Sequence, residues 1–149
     1  MSGGVDSSVA AALLKEQGFQ VEGATMEMWP CTDPVYTGSS VFCNVSAVED
    51  AQRVARVLGI PHHVMDLKSE FLEKVVHDFV DEYTGGRTPN PCVVCNREIK
   101  FGAFMRKALE LGADYVATGH YAQKQYDEQR GRYLLFKGRD TSKDQTYVL

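Results

Sequence analysis

Hydrophobic and polar positions change period several times along the chain, and each change predicts an element. Val9-Ala10-Ala11-Ala12-Leu13-Leu14-Lys15 is a run of strong helix formers, with Gly18 placed to stop it. Gln20 to Met26 reads as a strand, and Ser46 to Leu58 as an amphipathic helix ending at Gly59. His62 to Leu67 predicts a second strand and Ser69 to Tyr83 a second long helix. Gly85 to Val94, rich in Gly, Pro and Asn, reads as a loop, followed by a helix from about Asn96 to Leu111. Ala113 to Thr118 predicts a third strand. A hairpin is expected to join Ala122–Tyr126 to Tyr133–Phe136 across Glu128-Gln129-Arg130-Gly131. Strands alternating with helices predict an α/β fold: a three-layer parallel sheet with helices on both faces.

Both ends of this pattern are abrupt. No strand precedes Ser2, and Lys143 to Leu149 reads as the start of a helix. The expectation is one partial domain over residues 1–149, with its first strand and later C-terminal domains outside this sequence. At 149 residues the chain is long enough for a hydrophobic core, and 44% hydrophobic with 24% charged residues is an ordinary globular composition. Apolar runs as short as Val9 to Leu14 cannot span a bilayer, and no secretion signal opens the chain, so the cytoplasm is expected. A net charge of −4 argues against gripping nucleic acid through overall positive charge. Arg87, Arg97, Lys100, Arg106 and Lys107 nevertheless gather in one stretch, which by charge alone is a solvated helix face.

The first chemical signal is Ser2-Gly3-Gly4-Val5-Asp6-Ser7-Ser8 at a helix start. Paired glycines reach backbone angles closed to other residues and allow close approach of a ligand. Successive amides and the helix N-terminus then form a concavity suited to pyrophosphate. Asp6 is placed to position Mg2+ or to orient the loop. The Gly-Lys-Ser/Thr ending of the Walker loop is absent. Two glycines alone would equally make a tight turn before a serine-capped helix.

The second signal is Cys92-Val93-Val94-Cys95-Asn96, after Thr88-Pro89-Asn90-Pro91. Asn96 is a good helix N-cap, so Cys95 is expected at a helix N-terminus, its thiolate favoured by the dipole and by Arg97 and Lys100. Half of a zinc site and a pair of buried cysteines are the competing readings, and no second Cys-x-x-Cys pair is present to close a four-cysteine site. Cys31 and Cys43 complete the count of four cysteines, without a mechanism for either.

The full loop string resembles the pyrophosphate loop of the PP-loop ATPases, adenylating enzymes that cleave ATP between the α and β phosphates. With Thr88-Pro89-Asn90-Pro91, Cys95-Asn96, Ile99-Lys100-Phe101, Val116 to Ala122 and Lys143-Asp144-Gln145, the chain resembles the tRNA-specific 2-thiouridylases of bacteria and mitochondria. Val48 to Ala51 and Leu58 to His62 agree with that family, so the resemblance covers essentially the whole chain.

It implies ATP-dependent 2-thiolation of the wobble uridine of tRNA, by adenylation of the C2 oxygen and sulfur transfer from a cysteine persulfide. It implies ATP contacts from Ser2, Gly3, Gly4, Val5, Asp6, Ser7, Ser8, Met26 and Gly119, with Mg2+. It further implies tRNA contacts from Asn90, Pro91, Cys92, His120, Lys143, Asp144 and Gln145, and a nucleophilic Cys95. A sulfur-relay protein or a cysteine desulfurase is the implied donor partner. The persulfide cysteine is expected outside this sequence. Read without the family, Met26 is a core residue at a strand end, His120 is equally a structural histidine, and Tyr121, Tyr126 and Tyr133 carry no assigned role.

One position departs from the family pattern. Many members carry aspartate where Cys92 stands, and a thiol with a reference pKa near 8.5 replaces it poorly as an acid or base. This motivates a variant in which Cys92 and Cys95 act together, as iron–sulfur ligands with a later cysteine or as a disulfide-forming redox pair. Rival functions are a nucleotide-binding module without chemistry, an amide-forming PP-loop synthetase, and a zinc-bearing RNA-binding module.

Overall fold

Helix α1 (Val5–Glu16) starts immediately after Gly4, so the last four residues of the glycine-serine string form its first turn. It stops at Gly18, whose φ of +87° lets Phe19 N–H turn back to Leu14 O at 3.1 Å. The computed structural model describes residues 1–29 and 45–149, so Cys31 and Cys43 lie outside the described residues. Two units are distinct, Met1–Gly119 and His120–Leu149.

In the first unit, β1 (Gly23–Glu27) and β2 (His62–Asp66) pair in parallel, from Gly23 opposite His62 to Glu27 opposite Asp66. Helix α2 (Val45–Leu58) lies between them in the chain and packs against both strands and α1. Its inner face is made of alanines, with Ala51 and Ala55 fully buried, so the helix approaches the sheet closely. The third helix, residues 68–84, holds one π-helical stretch, Leu72–Val76. The fourth, residues 91–110, holds a longer one, Cys95–Ala103, closed by Phe104 N–H donating to Ile99 O. The two π stretches meet in the core, where Val75 packs with Ile99, Ala103 and Leu67. The side chains of Met26, Met28, Phe71, Val94, Cys95 and Phe104 border this cluster.

The fold is therefore α/β with a parallel strand pair, and in this unit two sequence expectations are corrected. Ala113–Thr118 forms no strand. Among the described residues β1 holds β2 on one edge and meets Met1, whose N–H donates to Ala24 O, on the other, and residues 113–118 join neither strand in a ladder. The fourth helix begins at Pro91 rather than near Asn96. Asn90 caps it, its side chain accepting from Val93 N–H at 3.3 Å. Pro91 fits the first helical turn, where a missing N–H costs nothing. The same residues that read as loop breakers thus start the helix.

In the second unit, β3 (Ala122–Asp127) and β4 (Arg132–Lys137) form the expected antiparallel hairpin, with Tyr126 opposite Tyr133. Its turn is set by Asp127, whose carboxylate accepts from Gln129 and Arg130 N–H at 3.0 and 3.1 Å, and by Gly131 at φ +61°. No helix begins at Lys143: a single 3-10 turn, Thr141–Lys143, capped by Asp140, ends there, and residues 144–149 are turn and coil.

Candidate functional site

The glycine-serine string folds into a loop tied to itself. Ser7 Oγ accepts from Ser2 N–H at 3.2 Å and donates to Gly4 O at 3.3 Å, while Ser8 Oγ donates to Gly4 O at 2.8 Å. Gly4 caps α1 without a side chain, so the loop's amides are not screened by a capping oxygen of that residue. Gly3 takes φ +74°, and a Cβ there would lie 2.8 Å from Asp50 Cβ and 3.0 Å from Ala47 O. Helix α2 therefore presses the loop from one side. Gly119 presses it from another, since a Cβ at this position would lie 2.9 Å from both Asp6 C and Ser7 N. The structure brings Ser2 to Ser8 and Gly119 together, 111 residues apart in the case of Ser8.

Strand β1 links this loop to the cysteine helix. Met1 N–H donates to Ala24 O, and the Thr25 hydroxyl donates to Met1 O at 2.8 Å, which fixes the loop's entry against β1. Because that hydroxyl's single proton is committed, His62 Nε2, 2.9 Å away, is the donor to Thr25. Burial, the largest cause, lowers the His62 pKa and so favours the neutral ring. Further along β1, Met26 packs against the core cluster that Cys95 also borders. Met26 thus has the packing role its position alone predicted, on a strand that also holds the loop.

Cys92 and Cys95 stand one turn apart on the fourth helix, Cys92 exposed and Cys95 half-buried, both as free thiols. The expected site at a helix N-terminus is corrected here. Pro91 opens the helix, so Cys95 sits past the first turn, where the dipole is weaker. Burial pushes its thiol above the usual range, Lys100 pulls it back in part, and Cys92 adds to the rise. The cysteines are not joined by a disulfide. Among the described residues no group of three or more His, Cys, Asp or Glu side chains converges on a metal position. Two thiols supply half of an iron–sulfur ligand set, and Cys95 turns toward the apolar core, so these residues do not fit a cluster by themselves. A nucleotide fits better: the loop offers a helix start at which glycines replace side chains, with Asp6 as its carboxylate.

The basic stretch resolves mostly into ion pairs. Arg87 binds Glu82 through Nε at 2.6 Å and Nη2 at 2.7 Å, Arg97 binds Glu98 at 2.7 Å, and Lys107 binds Glu70 at 3.3 Å. His120, Lys143, Asp144 and Gln145 belong to the second unit. There Gln145 Oε1 accepts from Tyr121 N–H at 2.9 Å, and Lys143 Nζ lies 5.2 Å from the centre of the Tyr121 ring. Asp144 accepts from Thr146 N–H at 2.9 Å and pairs with Lys137 at 3.6 Å. These three residues brace Tyr121 and the chain end around it. Sequence reasoning gave Tyr121 no role and did not single out Asp50 or Ala47 as neighbours of the loop. The φ of +74° at Gly3 is the glycine-only backbone that the paired glycines predicted.

The whole chain, residues 1–149, matches the tRNA methyl transferase HUP domain family. It is 58% identical over 150 residues to the tRNA-specific 2-thiouridylase MnmA 2 of Thermoanaerobacter sp. (strain X514). It is 54% identical over 149 residues to the tRNA-specific 2-thiouridylase MnmA of Moorella thermoacetica. A third relative, the tRNA-specific 2-thiouridylase MnmA 2 of Caldanaerobacter subterraneus, is 59% identical over 150 residues. Each match covers 100% of this chain but only 41% to 42% of the relative. With its glycine loop closed by Gly119 and its strand-linked cysteine helix, the chain belongs to the tRNA methyl transferase HUP domain family.

Proposed function

We propose that this chain is the nucleotide-binding part of an ATP-dependent tRNA-uridine 2-sulfurtransferase. The observation that carries the reading is the linkage through β1: Met1, at the mouth of the phosphate loop, bonds Ala24 and Thr25, and Met26 borders the core beside Cys95. Family membership and relatives named tRNA-specific 2-thiouridylase support it.

ATP is a substrate in this reading. The amides of Gly3 to Ser7 hold its β and γ phosphates, with Asp6 placed toward a magnesium ion that would neutralise charge on the departing pyrophosphate. The wobble uridine C2 oxygen attacks the α phosphorus, the bond to the β-phosphate oxygen breaks, and pyrophosphate leaves. The outer sulfur of a cysteine persulfide then attacks C2, the C2–O bond breaks and AMP departs. The Cys95 thiolate next attacks the inner sulfur of that persulfide, the S–S bond breaks, and 2-thiouridine is released as Cys95 and the donor cysteine join in a disulfide. A thiol reductant must reopen that disulfide before the next turnover. Adenylation is needed because an amide-type oxygen is a poor leaving group.

Asn90, Pro91 and Cys92 would stand beside the target base, and His120 with Lys143 to Gln145 would face the tRNA. The persulfide cysteine lies in the remainder of the protein, loaded in the cytoplasm by a sulfur-relay protein or a cysteine desulfurase. A strand entering along β1 at Met1 would complete the three-layer sheet and give residues 113–118 an edge to pair with.

The test is tRNA-dependent release of pyrophosphate from ATP by the full-length protein, and formation of 2-thiouridine. The wild type should do both, and Cys95→Ala should abolish the thiolated product. Pyrophosphate release driven by a small carboxylate, with no response to any tRNA, would reject the assignment in favour of another adenylating enzyme.

A further inference from the structure

The β3–β4 hairpin presents one face that the reading above does not use. Its register places Lys137 opposite Ala122, Leu135 opposite Lys124, and Tyr133 opposite Tyr126. Directly opposed residues of an antiparallel pair share a face, and alternate pairs share the same one. Lys124, Tyr126, Tyr133, Leu135 and Lys137 are therefore side by side. The face is open: Tyr126 is 50% exposed, Tyr133 66% and Leu135 67%. The two tyrosines meet edge to face with centroids 5.1 Å apart, and Lys124 Nζ lies 5.3 Å from the centre of the Tyr133 ring.

Charge separates this unit from the rest of the chain. Residues 120–149 hold 6 Lys or Arg and 4 Asp or Glu, a net of +2; residues 1–119 hold 10 and 16, a net of −6; together they give the −4 of the whole. Several of the unit's acids are engaged locally: Asp127 with its own turn and Arg130, Asp140 with Ser142, Asp144 with Thr146 and Lys137. Lys124 makes no ion pair among the described residues. Flat aromatic rings flanked by lysines, Lys124 among them without an acidic partner, on an exposed sheet face are the surface that takes unpaired bases by stacking while phosphates meet the ammonium groups.

We propose that this hairpin face is a stacking platform for unpaired nucleotides of the RNA substrate, with Tyr133 and Tyr126 against bases and Lys124 and Lys137 on the adjoining phosphates. A base laid on Tyr133 displaces the Lys124 ammonium from the ring, which leaves it beside that nucleotide's phosphate. The inference rests on the protein's being a tRNA-modifying enzyme and names a surface for that substrate.

The test uses the full-length protein and an unmodified tRNA transcript, with affinity read by fluorescence anisotropy and contacts by photocrosslinking of a 5-iodouridine-substituted transcript. Tyr133→Ala is expected to weaken binding about tenfold, the size of losing one stacked base, with Tyr133→Phe near wild type. Lys124→Ala should flatten the salt dependence of binding. In turnover assays the tyrosine change should raise KM for tRNA and leave kcat near wild type. Crosslinks should fall on Tyr126 or Tyr133. Wild-type binding that survives Tyr133→Ala and Tyr126→Ala unchanged, or tyrosines already shielded by the rest of the protein in its RNA-free form, overturns this inference alone. A wild type that binds no tRNA transcript overturns both readings.

Discussion

Replacing Gly119 by alanine tests the contact that closes the phosphate loop. Its φ is not in the left-handed region, so alanine brings no backbone strain and the outcome depends on space alone. The added methyl would sit 2.9 Å from Asp6 C and Ser7 N and 3.0 Å from Asp6 Cβ. Two of these three atoms are backbone of the first turn of α1, which cannot rotate away as a long side chain does. Overpacking of this kind costs about 1–3 kcal/mol. The relief available is a shift of several tenths of an ångström in the turn carrying the amides assigned to pyrophosphate.

Two readouts follow in the full-length protein. The melting temperature should fall by roughly 3–9 °C, taking about 3 °C per kcal/mol for a domain of this size. Affinity for a nonhydrolysable ATP analogue, measured by calorimetry, should fall by about tenfold or more, because displaced donors lose phosphate hydrogen bonds worth about 1.5–3 kcal/mol each. An unchanged melting temperature would refute the close packing of Gly119 on the loop. A lowered melting temperature with unaltered nucleotide affinity would keep the packing and refute the loop as the phosphate site.

Thiol chemistry supplies a further prediction. With Cys92 exposed and burial raising Cys95, iodoacetamide at pH 7.5 should label Cys92 several-fold faster, and Cys95 labelling should keep rising to higher pH than that of a free thiol. Peptide mass spectrometry showing Cys95 as the faster site would contradict the buried setting. Acid stability gives another. Burial lowers the His62 pKa, so below the ordinary histidine value of about 6.5 the unfolded chain binds a proton that the fold resists, and stability falls with pH. The urea midpoint should drop from pH 7.5 to 5.5, and His62→Gln, which keeps a donor for Thr25, should reduce that drop; an equal drop in both proteins would show that His62 is not its source.

What the sequence determined by itself is the local physics. The helix at Val9 to Lys15, the strands near Gly23 and His62, the long helix after Lys68 and the hairpin with its Gly131 turn all follow from periodicity and turn chemistry, which act between neighbours in the chain. The glycine-serine loop at a helix start was also legible as local structure, since its glycines and serines act within seven residues.

Tertiary structure decided what depends on distant partners. Residues 113–118 have strand-like composition, yet a strand exists only with a ladder partner, and among the described residues this segment pairs with none. Pro91 and Asn90 could break a helix or begin one, and the packing of Ile99 and Ala103 against Val75 and Leu67 selected the beginning. That earlier start moved Cys95 off the helix terminus and into a half-buried place, where desolvation opposes the thiolate that local charge would favour. Gly119, meeting Asp6 and Ser7 across more than a hundred residues, is a matter of space, which only the folded chain defines.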